Sequence, residues 1–265
     1  MIQKKRLGQT DLLVSRIGLG TVKLGRNEGV KYPTAYDLPS DKQIQQILVC
    51  AKELGINFLD TAPAYGASEE RLGMALKGNR QDWVISTKVG EMFVQGESHF
   101  DFSKKAIQHS IERSLRRLQT DFLDIVLVHS NGDDQSIIEN EGVFDVLSDL
   151  KHQGYIRAIG MSTKTVSGGK LTVDQADVVM VTYHPLQRGE QDVIVYAHQH
   201  NKGVLIKKAL ASGHLDLLQD QDPIEKAMQF VFNQPGVSSV VLGTLNEKHL
   251  RHDVACAITA IDNAS

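Results

Sequence analysis

Apolar and polar positions along this chain switch between two periods. Short apolar runs with strand character stand at Ser15–Leu19, Asn57–Leu59, Trp83–Thr87, Asp124–Val128, Ile156–Ile159, Val178–Thr182, Gly203–Lys207 and Ser239–Leu242. Between them the period lengthens to that of a helix. In LPSDKQIQQILVCAKELG the residues Ile44, Ile47, Leu48 and Ala51 share one face, and in FSKKAIQHSIERSLRRL the residues Ile107, Ile111, Leu115 and Leu118 do the same. Ser40 and Ser103 stand where N-caps belong, and Gly55 where the left-handed residue after a helix belongs. Eight strands alternating with helices predict an α/β fold, a TIM-type (β/α)8 barrel, as one domain over residues 1–265. The leading KKRLGQTDLLVSR, with a turn at Gly8, reads as an N-terminal β-hairpin closing the bottom of the barrel. In the fifth unit, TKTVSGGKLTVDQAD, the pair Gly168-Gly169 argues against a long helix.

Composition narrows the partners rather than the fold. With 265 residues, 41% hydrophobic and 23% charged, the chain can bury a large core as one α/β barrel or as two smaller domains. A net charge of −3, with no block of like charge, gives no case for nucleic acid or an anionic membrane, so an anionic ligand needs a local site. The N-terminal MIQKKRLGQTDLLVSRIG lacks an apolar leader, and apolar runs such as Ile125–Val128 are too short to cross a bilayer. A cytoplasmic protein with no membrane partner is expected. Cys50 and Cys256 lie far apart in helical segments and read as free thiols, and no metal site is expected. No exposed apolar stripe demands a partner chain, which favours a monomer.

In such a barrel the chemistry gathers where the apolar strands end at the C-terminal mouth. There the chain has Asp60 after the second strand, Lys88 after the third, His129 after the fourth and Ser162 beyond the fifth, with Tyr65 in a turn five residues after Asp60. Each alone has a bland account: a turn acceptor, a solvated cation, a strand-capping histidine, a packed ring. Together they make a carboxylate–lysine pair beside a phenol. A lysine near the Tyr65 hydroxyl favours phenolate and should lower its pKa, making Tyr65 a proton donor nearer neutral pH. That suits an oxygen gaining negative charge, as a carbonyl does on receiving hydride. Hydride must come from a nicotinamide, and GLGTVKLG after the first strand, in place of G-x-G-x-x-G, argues against a Rossmann mode of holding it.

These residues carry a resemblance to the aldo-keto reductase superfamily. GINFLDTAPAYGASEERLG and LQTDFLDIVLVHS resemble its two signatures, and RLGQTDLLVSRIGLGTVKLG, ISTKVG, IGMST, KKALASG and VLGTLNEKHL extend the match over nearly the whole chain. The resemblance implies a reductase of aldehydes or ketones using NADPH, with NADH as the alternative. Its catalytic four would be Asp60, Tyr65, Lys88 and His129: Tyr65 protonates, Lys88 tunes Tyr65, Asp60 holds Lys88, and His129 orients the substrate oxygen or shares the proton. By the same match Gly20, Thr21 and Asp60 lie near the nicotinamide ribose and Ser162-Thr163 near the carboxamide. Leu210, Ser212 and Gly213 would face the pyrophosphate, and Gly243, Thr244, Leu245 and Asn246 the adenosine phosphate.

Several positions depart from the family's pattern. Thr163 stands for an asparagine, Met180 for a glutamine in strand six, and Lys207, followed by Lys208, for a tyrosine that stacks on nicotinamide. The Lys207 ammonium is expected to turn toward pyrophosphate or substrate and to make oxidised cofactor leave readily. His249 stands for an arginine at the 2′-phosphate, with Lys248 and Arg251 as further charge, and His252-Asp253 for an acidic–asparagine pair at adenine. Short loops imply an open substrate site, with Phe93, His99 and Phe100 of EMFVQGESHFDF as one wall. Two rival readings stay open: a Schiff-base barrel using Lys88 as nucleophile, and a non-catalytic barrel that senses nicotinamide or serves as a subunit.

Overall fold

A computed structural model describes residues 1–30, 32–214 and 220–264. The chain starts with the expected hairpin, β1 (Lys4–Arg6) antiparallel to β2 (Leu13–Ser15). Then come β3 (Ile17–Gly20), α1 (Val22–Gly25), α2 (Asp41–Glu53), β4 (Phe58–Asp60), α3 (Ser68–Ala75) and β5 (Val84–Val89). A second hairpin, β6 (Glu91–Val94) and β7 (Glu97–Phe100), precedes α4 (Lys104–Leu118), β8 (Leu123–His129), α5 (Asp134–Glu139), α6 (Val143–His152) and β9 (Ile156–Ser162). The rest is α7 (Val166–Gln175), β10 (Val178–Thr182), α8 (Gln191–Gln199), β11 (Gly203–Lys207), α9 (Pro223–Phe232), β12 (Ser239–Leu242) and α10 (Glu247–Ala264). Eight parallel strands close in the order β10-β11-β12-β3-β4-β5-β8-β9, a TIM-type (β/α)8 barrel.

Local signals explain why these helices start and stop. Ser40 and Gln43 form a reciprocal capping box on α2, the Ser103 hydroxyl accepts from Ala106 N–H at the start of α4, and Gly55 takes a positive φ of 86° after α2. Inside the barrel, Phe58, Val84, Ile125, Leu127, Val178, Met180 and Leu205 pack together, and Leu7, Leu12 and Val14 of the hairpin plug the lower end. A larger apolar layer joins the outer strand faces to the helices. Among the described residues the barrel interior is filled by these side chains, and a cavity opens at the mouth.

Two expectations are refined. The helix α7 stays short, at ten residues against fifteen in α4, but it runs straight through Gly168 and Gly169. Their smallness is the reason. A Cβ on Gly168 would sit 2.1 Å from Asp134 Cβ, and one on Gly169 2.5 Å from Val193 Cγ2, so the glycines pay helix propensity for close approach to α5 and α8. Asp134 in turn accepts from the backbone N–H groups of Lys164 and Thr165 and from the Thr165 hydroxyl, locking that crossing. The second concerns strand ends. Asp60, Lys88, His129 and Ser162 lie within their strands, not past them, because the ladder continues through pairs such as Asp60↔Ser86, Lys88↔Leu127 and His129↔Ser162. Similarly Ser15 closes the hairpin, and the first barrel strand begins at Ile17.

Gly168→Ala is expected to destabilise the fold by about 1–3 kcal/mol through overpacking against Asp134. Gly189→Ala, where an added Cβ meets nothing within 4 Å, serves as the control and should leave the thermal midpoint unchanged.

Candidate active site

The mouth is organised around a buried ion pair. Lys88 Nζ donates to Asp60 Oδ1 at 2.8 Å, to Asp60 Oδ2 at 2.9 Å and to the Thr61 carbonyl at 2.9 Å, and the Ser86 hydroxyl donates to Asp60 Oδ1 at 2.6 Å. Both partners are buried, Lys88 at 1% and Asp60 at 4% exposure. Burial opposes the Lys88 charge, but Asp60 and Tyr65 outweigh it, and its pKa stands above the ordinary value.

Tyr65 reaches this pair from the turn before α3. Its N–H donates to Ala62 C=O, and the Tyr65 carbonyl accepts from the Ser68 N–H. The following Gly66 adopts φ +61° with room for no side chain: a Cβ there would lie 2.2 Å from the Gly25 carbonyl oxygen, so α1 and the turn pack backbone to backbone. Beneath them the hydroxyls of Thr21, Thr61 and Ser68 form a buried cluster that ties β3, β4 and α3 together. Lys88 Nζ sits 4.8 Å from the Tyr65 ring centroid, and the His129 ring meets Tyr65 edge-on with centroids 6.4 Å apart. Burial raises the Tyr65 pKa, the opposing field of Lys88 falls short, and Asp60 and Glu91 add to the rise. The expected lowering is therefore not found: desolvation beats the neighbouring ammonium, and Tyr65 holds its proton throughout the neutral range.

His129 closes the other side. Burial depresses its pKa against the pull of Glu91, with Lys88 and Lys207 lowering it further, so the ring is neutral at neutral pH. Its Nδ1 lies 2.5 Å from Glu91 Oε2 but off the ring N–H axis, so the contact is electrostatic rather than an aligned hydrogen bond. Burial raises Glu91, yet His129, the Ser98 hydroxyl at 2.6 Å and Arg26 bring it to about 2. Glu91 was not singled out from the sequence; nothing in EMFVQGESHFDF marks it over Glu97 or Asp101. Arg26 was missed too. Its guanidinium lies 3.3 Å from the Phe93 ring centroid and donates to the Ala64 carbonyl, bracing the Tyr65 turn from outside.

These groups open into a cavity of about 580 Å³. Of the sequence-named residues, Gly20, Thr21, Asp60, Tyr65, Lys88, His129, Ser162, Met180, Lys207, Lys208, Leu210, Ser212, Gly213, Gly243, Thr244, His249 and Asp253 line it. Thr163, Leu245, Asn246 and His252 do not. The Thr163 hydroxyl donates inward to Glu190, and Asn246 caps α10 by accepting from the N–H groups of Lys248 and His249. The helix-start donors meant for an anion are thus partly used by the chain itself. Arg251 is likewise drawn away, paired to Glu53 at 2.7 Å. Phe100 lines the cavity, Phe93 lies under Arg26, and His99 is exposed and outside it, all three on the β6–β7 hairpin rather than a loop.

Lys207 takes neither expected direction. Its Nζ donates to Ser162 Oγ and to the Thr163 carbonyl, both at 2.7 Å, which holds the ammonium at the end of β9. Burial, against the pull of Glu190 and with repulsion from Lys208 and Lys88, brings its pKa down to about 8. Over the far end of the cavity arches a segment absent from the sequence reading. The Tyr32 hydroxyl would lie 2.7 Å from a Cβ on Gly243, and Pro33 Cδ 3.2 Å from one on Gly213, so both glycines leave a cleft roofed by residues 32 and 33. At the same end Asp253 Oδ1 is buried without a partner, and burial raises that carboxyl to about 6. An elongated cleft, with ammonium and hydroxyl donors at one end and a buried lone carboxylate at the other, suits a dinucleotide whose amide and adenine amino groups need such partners.

Fold and mouth define a barrel oxidoreductase, and residues 16–224 match the Aldo/keto reductase family; the chain belongs to that family. It is 33% identical to L-galactose dehydrogenase of Arabidopsis thaliana, covering 84% of this chain and 69% of that one. It is 30% identical to the NADH-specific methylglyoxal reductase of Escherichia coli, covering 78% and 66%. A crystal structure from Pseudomonas aeruginosa superposes with a TM-score of 0.89 at 49% identity, covering 97% and 96%.

Lys88→Met strands the Asp60 carboxylate in the interior and is expected to cost about 3–5 kcal/mol of unfolding free energy. Because the folded ammonium titrates above its unfolded value, the pair's contribution is complete below that unfolded value and is lost only as pH rises through the raised one. Urea unfolding at pH 6 and pH 9 should therefore return the same penalty.

Proposed function

We propose that this chain reduces a small aldehyde or ketone to the alcohol at the expense of NADPH or NADH, with Tyr65 as the proton donor. The observation that carries this reading is the buried Asp60–Lys88 pair set under a protonated Tyr65, beside a neutral His129, at the open end of a long cleft. When bound, the nicotinamide supplies the hydride. The phenol O–H of Tyr65 donates to the substrate oxygen as negative charge gathers there, and Lys88 steadies the phenolate left behind. Asp60 fixes Lys88 in place. His129, with its Nδ1 side turned to Glu91, offers Nε2 to the substrate oxygen or to the Tyr65 hydroxyl. Ser162 and Lys207 would hold the carboxamide end, Ser212, Gly213 and Lys208 the pyrophosphate, and Asp253 the adenine amino group.

A family relative named as an NADH-specific methylglyoxal reductase supports a small polar carbonyl and keeps NADH in play. With Arg251 held by Glu53 and Asn246 occupied as a cap, charge for a 2′-phosphate falls to His249 and Lys248, which weakens the case for NADPH alone. The Schiff-base reading loses support because the Lys88 ammonium is held above its ordinary pKa by Asp60. We read the chain as one domain acting as a monomer in the cytoplasm; no helix among the described residues is long and apolar enough to cross a membrane.

Tyr65→Phe is expected to lower carbonyl-dependent NAD(P)H oxidation by about 10²–10⁴-fold. Nucleotide binding, followed by protein fluorescence, should stay close to native; a native rate in this variant would remove Tyr65 from the mechanism. Lys207 generates a second expectation. Its ammonium, unpaired to any carboxylate among the described residues, should disfavour the cationic oxidised nicotinamide. Lys207→Tyr is then expected to bind NADP⁺ or NAD⁺ about tenfold more tightly relative to the reduced form, a shift of about 1.4 kcal/mol. In the native protein that discrimination should fade as pH rises through about 8, where Lys207 loses its proton. Equal ratios for native and variant across pH 6–9 would assign Lys207 no such role.

A further inference from the structure

Away from the catalytic end, three potential metal ligands meet between α9 and α10. Asp222 Oδ2 lies 3.1 Å from His252 Nε2, Cys256 Sγ lies 3.6 Å from the same nitrogen, and all three ligand atoms fall within 4.8 Å of one another. His252 and Cys256 are one helical turn apart on α10, an H-x3-C spacing that puts both side chains on one face. Around a tetrahedral Zn²⁺ with bonds of about 2.0–2.3 Å, neighbouring N, O and S ligands stand roughly 3.4–3.6 Å apart. The Cys256–His252 contact already has that spacing, the Asp222–His252 contact is a few tenths of an ångström shorter and has to open slightly, and the carboxylate–sulfur edge has to close.

The carboxylate is also held as a ligand should be. Asp222 caps α9, its Oδ1 accepting from Ile224 N–H at 3.1 Å and Glu225 N–H at 3.0 Å, which leaves Oδ2 aimed at His252. The three donors cannot satisfy one another fully. Nε2 has either one proton or one lone pair, so it serves Asp222 or the Cys256 thiol but not both.

We propose that Asp222, His252 and Cys256 form a binding site for a divalent metal ion of borderline softness, Zn²⁺ by its donor set, with water as fourth ligand on the exposed His252 side. On binding, the Cys256 proton passes to solvent, and one carboxylate plus one thiolate neutralise the ion. The mixed S, N and O donors exclude Mg²⁺ and Ca²⁺, which take oxygen ligands. Structurally the ion clamps the start of α9 to α10 beside Asp253, at the closed end of the cleft.

Cobalt(II), a coloured stand-in for Zn²⁺, tests this on the full chain after treatment with a chelator. The expected result is one ion per chain, with a thiolate-to-cobalt charge-transfer band in the ultraviolet and the intense visible bands of a four-coordinate ion. Zn²⁺ should displace it and raise the thermal midpoint. Cys256→Ser should abolish the charge-transfer band, and His252→Ala should weaken binding at least tenfold. Circular dichroism on both variants separates a lost ligand from a lost fold, and a variant that fails to fold leaves the native spectrum to decide. Absence of the band in native protein, a band that survives in Cys256→Ser, or a Zn²⁺-induced rise in midpoint unchanged in both variants overturns the site.

Discussion

A lysine ammonium cannot sit inside a barrel unless something holds it there. Lys88 is held by both oxygens of Asp60 and by the Thr61 carbonyl, a shell that uses all three of its donors. Taking both charges out of water costs several kcal/mol per ion before their attraction offsets it. The geometry that makes this tolerable comes from the parallel ladder, which aligns Asp60 on β4 with Ser86 on β5 and leaves Lys88 two residues further along the same strand. Everything else at the mouth is arranged around that fixed positive charge. Tyr65 lies over it, the hydroxyl cluster of Thr21, Thr61 and Ser68 anchors the turn that presents Tyr65, and Lys207 keeps its own charge away by bonding to Ser162.

The same ladder explains what was legible in the chain and what was not. Eight apolar runs, three caps and a hairpin were enough for the barrel because each is a local pattern. The ends of strands were placed too early for one reason: apolar residues stop where side chains turn to the mouth, while backbone pairing continues under Asp60, Lys88 and His129. Gly168-Gly169 leave α7 short without breaking it. Glycine lowers intrinsic helix propensity by about 1 kcal/mol, but a helix packed as closely as α7 against Asp134 and Val193 recovers that through contact. Propensity is local and packing is not.

At the site, the residues that the motif names were readable because they recur in fixed short strings; those that tune them were not. Glu91 sits opposite His129 only because β5 ends in a turn that starts the β6–β7 hairpin, and Gln95-Gly96 between those strands was the one sequence hint that a hairpin stood there. Tyr32 and Pro33 belong to an aperiodic stretch whose aromatic content was its only signal. Glu190, buried behind Thr163 and Thr182, bears on Lys207 from a different unit of the barrel. Such cross-strand electrostatics depend on which ends become neighbours, and no spacing along the chain encodes that.

Burial and charge pull the Tyr65 proton in opposite directions, and the outcome bears on the reduction proposed above. With desolvation dominant, the phenol keeps its proton at neutral pH, so the site is primed to give a proton rather than to take one. Reduction needs that state; oxidation of an alcohol needs the phenolate. In that proposed reaction Lys88 would matter less for making Tyr65 acidic at rest than for steadying the phenolate once the proton has left. Asp60 limits that attraction by neutralising part of the ammonium charge. A lone lysine here would bring the Tyr65 pKa down, whereas the pair keeps the phenol protonated and, in the proposed reduction, would still steady the charge that transfer leaves behind.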